Sequence, residues 1–300
     1  MSAGAAVGER IKVRGYGAPL GFEIKGVDLS RDMSDATFRE IDDVLNDKSV
    51  IFFRDQKLGA ERQVEFSARF GRLDVNLLSQ YLLPGHPEVL IVSNIIEGGL
   101  PIGNMDAGHH WHTDLSYLAE PSRCTILYAV EVPVQDGKAL GDTMFSSTYE
   151  AYDALSAGMK SRLAGLKAIH SYAGQYDRRA EKIRQAGGVR ENLTEDQKKK
   201  VPDVAHPIVR THPFTGRKCL YVSAGMNTGI VGMPQAEAEV LLQELFAHVI
   251  RPEFLYRHSW KVGDLVIWDN CSAQHRAISD FALPLRRRMH RTTVIGSAPY

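Results

Sequence analysis

Apolar residues recur along this chain in short clusters separated by polar turns, and the rhythm inside each cluster predicts its element. Phe38, Ile41, Val44 and Leu45 fall three and four apart, which lays one stripe along a helix. Ser34 stands at the N-cap of that helix, with Met33 and Phe38 at hydrophobic-staple positions. Ser49-Val50-Ile51-Phe52-Phe53 reads as a buried strand, and a second helix covers about 60 to 70 with Gly71 as its terminator. Residues 11 to 29 read as short strands and turns, and Val89 to Val92 as a strand. From Thr125 the pattern is β-rich, with strands over 125–130, 204–210, 218–222, 254–260, 264–268 and 292–295. Helices interrupt at about 148 to 165 and 235 to 250. The second has Pro234 near its first turn and an apolar face from Val240, Leu241, Leu245 and Val249.

Many short strands with few helices predict a mainly β core with helical decoration, an α+β chain built on a sandwich or jelly roll. Strands and helices do not alternate regularly, which excludes a doubly wound parallel sheet. No repeat or linker-like stretch divides the 300 residues, so residues 1–300 read as one domain. One segment stands apart. Residues 177 to 200 are polar, highly charged and contain Gly187-Gly188, which makes the region around 174–202 an insertion of the kind that can serve as a lid.

Composition narrows the function classes. Lys+Arg and Asp+Glu are both 36, so the formal net charge is zero and a nucleic-acid partner is disfavoured. The three cysteines, Cys124, Cys219 and Cys271, are far apart and in no metal-like spacing, which suits a reduced cytoplasmic compartment. The N-terminus lacks the apolar core of a signal peptide, and no run reaches membrane-spanning length. A soluble cytoplasmic protein with no membrane partner is expected.

Candidate chemistry centres on Gly108-His109-His110-Trp111-His112-Thr113-Asp114. On an extended strand, His112 and Asp114 would leave the same face and offer one imidazole nitrogen and one carboxylate to a metal. A second imidazole would complete the two-His-one-carboxylate triad that leaves three positions open on a ferrous ion. By itself His-x-Asp is weak and equally suits a polar strand end. Near the C-terminus, the apolar Leu265-Val266-Ile267-Trp268 runs through a short polar loop to His275, a good place for a rigidly held ligand. Arg286-Arg287-Arg288-Met289-His290-Arg291 then places Arg287, Met289 and Arg291 on one face of a strand. If that face points inward, its guanidinium groups call for anions, and Arg suits bidentate carboxylate binding.

Together these residues resemble the Fe(II)/2-oxoglutarate-dependent dioxygenases of the taurine dioxygenase and dichlorophenoxyacetate dioxygenase (TauD/TfdA) family. The likeness runs through Gly26-Val27-Asp28-Leu29, Phe70-Gly71, Trp111-His112-Thr113-Asp114, Gly141-Asp142-Thr143, His206-Pro207-Ile208-Val209-Arg210-Thr211-His212-Pro213, Trp268-Asp269-Asn270, His275-Arg276-Ala277 and Arg287 to Arg291. The order of these pieces is specific, although no single piece is. The resemblance implies a double-stranded β-helix (jelly-roll) core with Fe(II) at one end, 2-oxoglutarate as cosubstrate and O2 as oxidant. It makes His112, Asp114 and His275 the metal ligands and assigns Thr143 and Arg287 to 2-oxoglutarate. Arg291 matches an arginine facing the substrate's anionic group, so a small carboxylate or sulfonate is expected, as is a homo-oligomer, dimer or tetramer.

Departures fall on the substrate side. Asn76 and Ser79 stand where the taurine enzyme has a His and a Tyr, and Gly108 where it has an Asn. Taurine itself is therefore not expected, and Asn76 and Gly108 become substrate-site candidates with Gln80 and Tyr81. His109 and His110 could face the site, whereas His212 and His290 read as structural and Trp111 and Trp268 as packing. A cupin-like metal hydrolase or isomerase would use the same ligands without needing Thr143 and the spaced arginines. A non-catalytic jelly-roll binding protein would need neither set.

Overall fold

A computed structural model describes residues 10–76, 78–105, 108–185 and 191–300. The N-terminal stretch 1–9 and the Gly187-Gly188 pair lie outside the described residues.

Two sheets face each other. The larger has eight strands: β1 (Lys12–Arg14), β2 (Phe22–Lys25), β3 (Val50–Phe53), β4 (Leu82–Leu83), β5 (His86–Ser93), β6 (Ser122–Glu131), β9 (Leu265–Asp269) and β11 (Arg288–Ile295). The smaller has β7 (Thr143–Ser147) between β8 (Leu255–His258) and β10 (Ala273–Ala277). The order of the large sheet is β1-β2-β3-β9-β6-β11-β5-β4, antiparallel throughout except for the short parallel pair of β2 with β3. The architecture is sheet-rich α+β, as the pattern predicts.

Period-two alternation decides what each face meets. Ile51, Phe53, Ile126, Tyr128, Leu265, Ile267 and Val294 point one way and pack under helices α1 (Asp35–Lys48) and α2 (Ala60–Ala68), through Ile41, Leu45, Phe66 and Phe70. Their neighbours Val50, Phe52, Leu127, Ala129, Val266, Trp268 and Met289 point between the sheets and meet Phe145 and Ala273. Each fully buried Leu, Ile or Phe contributes about 1.5–3 kcal/mol relative to exposure. A one-residue register slip would exchange the two faces, so the alternation also specifies the register. Helix α1 starts where expected: the Ser34 hydroxyl accepts from the Thr37 N–H at 3.1 Å, a cap of about 1 kcal/mol.

A third apolar cluster gathers around the helix Gln235–Val249, with Leu241, Leu245 and Val249 buried. Val240 is 71% exposed, because its position lies outside the stripe set by Leu241 and Leu245. Other expectations are revised by local geometry. The span 148–165 is two helices, Thr148–Asp153 and Ala157–Leu163, the second capped by Ser156. The span 204–210 is two strands in different sheets, Val204–Pro207 and Val209–Thr211, because Ile208 between them donates to Leu166 and turns the chain. Lys167–His170 and Asn227–Ile230 are strands that periodicity did not flag. Among the described residues, no helix is long and apolar enough to cross a membrane.

Candidate metal centre

His112 and His275 come together through the backbone. They form an isolated antiparallel bridge in which each residue's N–H donates to the other's carbonyl, at 3.1 and 2.9 Å. His275 follows β9 through the short turn 270–272, as expected, and lies on β10, so its side chain is set by the sheet. His112 is not part of a continuous strand. The chain turns after Thr113, with Leu115 at φ 54°, and that turn brings the Asp114 carboxylate back toward the imidazoles. His112 Nε2 lies 3.6 Å from Asp114 Oδ1, and His275 Nε2 lies 4.0 Å from Asp114 Oδ2. One ligand atom from each of the three falls within 4.8 Å of the others.

The protonation states suit metal binding. His112 Nδ1 donates to the His110 carbonyl at 2.7 Å, which turns Nε2 toward Asp114. Burial, with the neighbouring charges of His112 and Arg291, pushes His275 down to about 3 against the pull of Asp114, so its imidazole is neutral at neutral pH. Burial alone would raise Asp114. The charge of Arg291, whose Nη1 is 3.6 Å from Oδ1, outweighs it together with the two imidazoles and holds the carboxyl well below its usual range. Two imidazole nitrogens and one carboxylate can hold a divalent first-row ion.

Around this set lies a polar support that the sequence did not flag. The Thr125 hydroxyl on β6 donates to Asp114 Oδ2 at 2.7 Å and accepts from Asn270 Nδ2 at 3.0 Å. Asn270 Oδ1 in turn accepts from the Asp114 N–H at 3.3 Å. The only advance signal was the place of Asn270 beside Asp269. Trp268 packs on His275, ring centroids 4.7 Å apart, and Phe145 lies 6.0 Å away on another side. Gly108, at φ 82°, lets the chain pass the His112 ring, and its carbonyl accepts from Ala277 N–H at 2.7 Å. Thr125→Val keeps the shape and removes the hydroxyl. We expect divalent-metal affinity to fall about 10–100-fold, read by competition with a colorimetric chelator. An unchanged affinity would mean that the hydroxyl does not orient Asp114.

A second polar set gathers around Thr143, on the strand next to that of His275. Trp260 Nε1 donates to Thr143 Oγ1 at 3.1 Å, so the Thr143 proton is free to point elsewhere. Arg287 is 7% exposed, and among the described residues no hydrogen bond or ion pair reaches its guanidinium. Burial pushes its pKa down to about 10. The Arg287 backbone is held by Asn94 and Ser93, and its guanidinium carbon lies 6.0 Å from the Trp260 ring centroid. At Gly141 an added Cβ would come 3.2 Å from Arg287 Nε and 2.7 Å from Phe281, so glycine is what admits the arginine here. A buried guanidinium without an acid costs several kcal/mol, and a carboxylate ligand would answer it.

The other sequence candidates scatter. Asn76 is half-buried, and its side chain accepts from Leu78 N–H at 2.9 Å, closing its own turn; Ser79 and Gln80 are exposed, and Tyr81 packs against the inter-sheet core. His109 Nδ1 bonds to Ser279 Oγ at 2.5 Å. His290 points away from Arg291, toward Arg288 and His86. His212, Asp269 and Cys271 also lie within 4.8 Å of one another. Both His212 nitrogens are engaged, Nε2 with Asp269 and Nδ1 with the Phe214 and Thr215 N–H groups, and burial holds Cys271 as a thiol. That trio is structural.

Comparisons with known proteins agree with this chemistry. A sequence model of the "Taurine catabolism dioxygenase TauD, TfdA family" matches residues 12–293. The alpha-ketoglutarate-dependent 2,4-dichlorophenoxyacetate dioxygenase of Cupriavidus pinatubonensis is 33% identical over 92% of this chain and 94% of its own. An alpha-ketoglutarate-dependent sulfonate dioxygenase of Saccharomyces cerevisiae is 33% identical over 97% of this chain and 68% of its own. The crystal structure of a taurine dioxygenase from Burkholderia xenovorans superposes with a TM-score of 0.78 at 33% identity, covering 96% of this chain and 90% of that one.

Proposed function

Because this chain belongs to the TauD, TfdA family and is an alpha-ketoglutarate-dependent dioxygenase working with Fe(II), 2-oxoglutarate and O2, we propose that it hydroxylates an aliphatic C–H of a small anionic substrate. Succinate and CO2 are the coproducts, and a hydroxylated carbon bearing a heteroatom would break down to a carbonyl product. In this reading the facing sheets are a double-stranded β-helix, with His112, Asp114 and His275 holding the iron at one end. The observation that carries it is Arg287: a buried guanidinium that, among the described residues, has no protein acid, in a chain that also clusters His112, Asp114 and His275.

The residues divide the work. When bound, Fe(II) and 2-oxoglutarate supply the activation of O2 and the oxidation of the C–H bond. Arg287 pairs with the distal carboxylate of 2-oxoglutarate, and Thr143, its oxygen already accepting from Trp260, turns its proton toward the cosubstrate. Arg291, on β11, orients the anionic group of the substrate. The sulfonate and dichlorophenoxyacetate substrates named for the two relatives each carry such a group. Asn76 and Gly108 border the substrate side. Helix α3 (Tyr172–Gln185), docked by Gln175 on Ala224 and by Arg178 on Asn227, is a described part of the insertion that this reading takes as a lid.

Anaerobic addition of Fe(II) and 2-oxoglutarate to the apo-protein is expected to produce a visible metal-to-ligand charge-transfer band that is absent in His112→Ala. Bound iron without a band would mean that 2-oxoglutarate does not chelate it, and hydrolase or isomerase chemistry would then take precedence.

A further inference from the structure

The substrate side contains an acid as well as an arginine. Leu73 forms an isolated antiparallel bridge with Val294 on β11, flanked by the Asp74 N–H donating to the Thr293 carbonyl at 2.8 Å. Leu73 and Val294 both pack into the core under the helices. Alternation therefore turns Asp74 to the opposite face, which Thr293 and Arg291 share. Asp74 is half-buried, and among the described residues no hydrogen bond or ion pair reaches its carboxylate. Burial raises its pKa against the lowering charges of Arg291 and Arg72, and burial, with Asp114 and Asp74 among the nearby charges, pushes Tyr117 up to about 12. Tyr117 packs on Tyr172 at the start of α3, ring centroids 5.0 Å apart. Asp74 and Arg291 thus lie on one face of β11, and Arg291 reaches the clustered ligands through Asp114 at 3.6 Å.

Charge neutrality sharpens this. In the loaded site, the two charges of the ferrous ion plus Arg287 offset Asp114 and the two carboxylates of 2-oxoglutarate. What remains is Arg291, with the exposed Arg72 farther out, against Asp74. A plain anion drawn to Arg291 would be repelled by Asp74, whereas an anion that also carries a donor would satisfy both. We propose, on the basis of the dioxygenase reading above, that the primary substrate carries two groups: an anion that meets Arg291, and an ammonium or hydroxyl donor that meets the Asp74 carboxylate. Asp74 is then a specificity-determining residue. A site built to accept a donor rejects the analogue lacking it far more strongly than an apolar pocket rejects a missing methylene, because a buried acceptor is left unpaired.

The test reads the charge-transfer band of the Fe(II)–2-oxoglutarate protein under anaerobic conditions, without turnover. Matched probes are titrated against it: butyrate with γ-aminobutyrate and γ-hydroxybutyrate, and phenylacetate with para-aminophenylacetate. In wild type a donor-bearing probe is expected to perturb the band at a concentration at least about tenfold below its plain partner. In Asp74→Asn that preference should collapse, while the band formed with 2-oxoglutarate alone stays unchanged, showing an intact fold and cosubstrate site. Three outcomes would overturn the proposal: a wild-type preference for the plain anions, an unchanged preference in Asp74→Asn, or no donor-bearing probe perturbing the band at millimolar concentration. Failure of the band with 2-oxoglutarate alone is a separate result. It would remove the dioxygenase reading and this inference with it.

Discussion

Asp114→Ala is expected to give a folded protein that retains no iron after anaerobic desalting and shows no turnover. The carboxylate is the one anionic member of the cluster, and its two oxygens face the two imidazoles at 3.6 and 4.0 Å. Losing an outer partner of a metal ligand already costs about 10–100-fold in affinity, so losing the ligand itself should cost more. The same change strips Arg291 of its neighbour at 3.6 Å and leaves the Thr125 hydroxyl without its acceptor. Leaving buried polar partners unsatisfied costs about 1–3 kcal/mol, which a thermal melt would register as a modest drop. Iron content by elemental analysis, set beside that melt, separates loss of the metal from loss of the fold. Near-stoichiometric iron with turnover close to wild type would show that Asp114 is not a ligand.

Arg287→Met should separate stability from function in the opposite direction. The methionine fills much of the same buried volume without a charge to desolvate. Replacing buried charges by apolar groups is commonly neutral or stabilising by about 1–4 kcal/mol. The melting temperature of the apo-protein is therefore expected to hold or rise. Affinity for 2-oxoglutarate should fall by about 3–4 kcal/mol, roughly two to three powers of ten, because the cosubstrate's distal carboxylate loses a desolvated, bidentate partner. Titration of the charge-transfer band gives that affinity directly, and calorimetry gives the stability. If the variant bound 2-oxoglutarate as tightly as wild type, the unpaired guanidinium would need another anion to explain it.

Parts of this picture were legible in single stretches of chain. The Ser34 cap, the stripe through Ile41 and Leu45, and the buried run Val50-Ile51-Phe52-Phe53 declare themselves because their causes are local: spacing, capping and side-chain shape. The same holds for Met289 and Arg291, since alternation along one strand puts them on one face whatever lies opposite, whereas Arg287 stands just before that strand. Where the competing effect was distant, local reading failed. Val240 fits an apolar pattern but lies off the stripe that the third cluster covers. The strand pattern over 204–210 breaks because Ile208 is drawn to Leu166, a partner that periodicity cannot reveal.

The sequence by itself determined the inventory: two histidines, one aspartate, one threonine and two arginines in an order specific to one family, on a β-rich chain. Only the tertiary structure decided how they meet. The His112–His275 bridge, the turn that returns Asp114, and the Thr125–Asn270 support all join residues remote in sequence. So does the pairing of Leu73 with Val294 that turns Asp74 to the face of β11 carrying Arg291. The physical reason is that a side chain's direction follows from its own strand, but its neighbours follow from which strands pair and in what register. Register is set by burying both faces of the large sheet at once, a property of the whole chain that no short stretch contains.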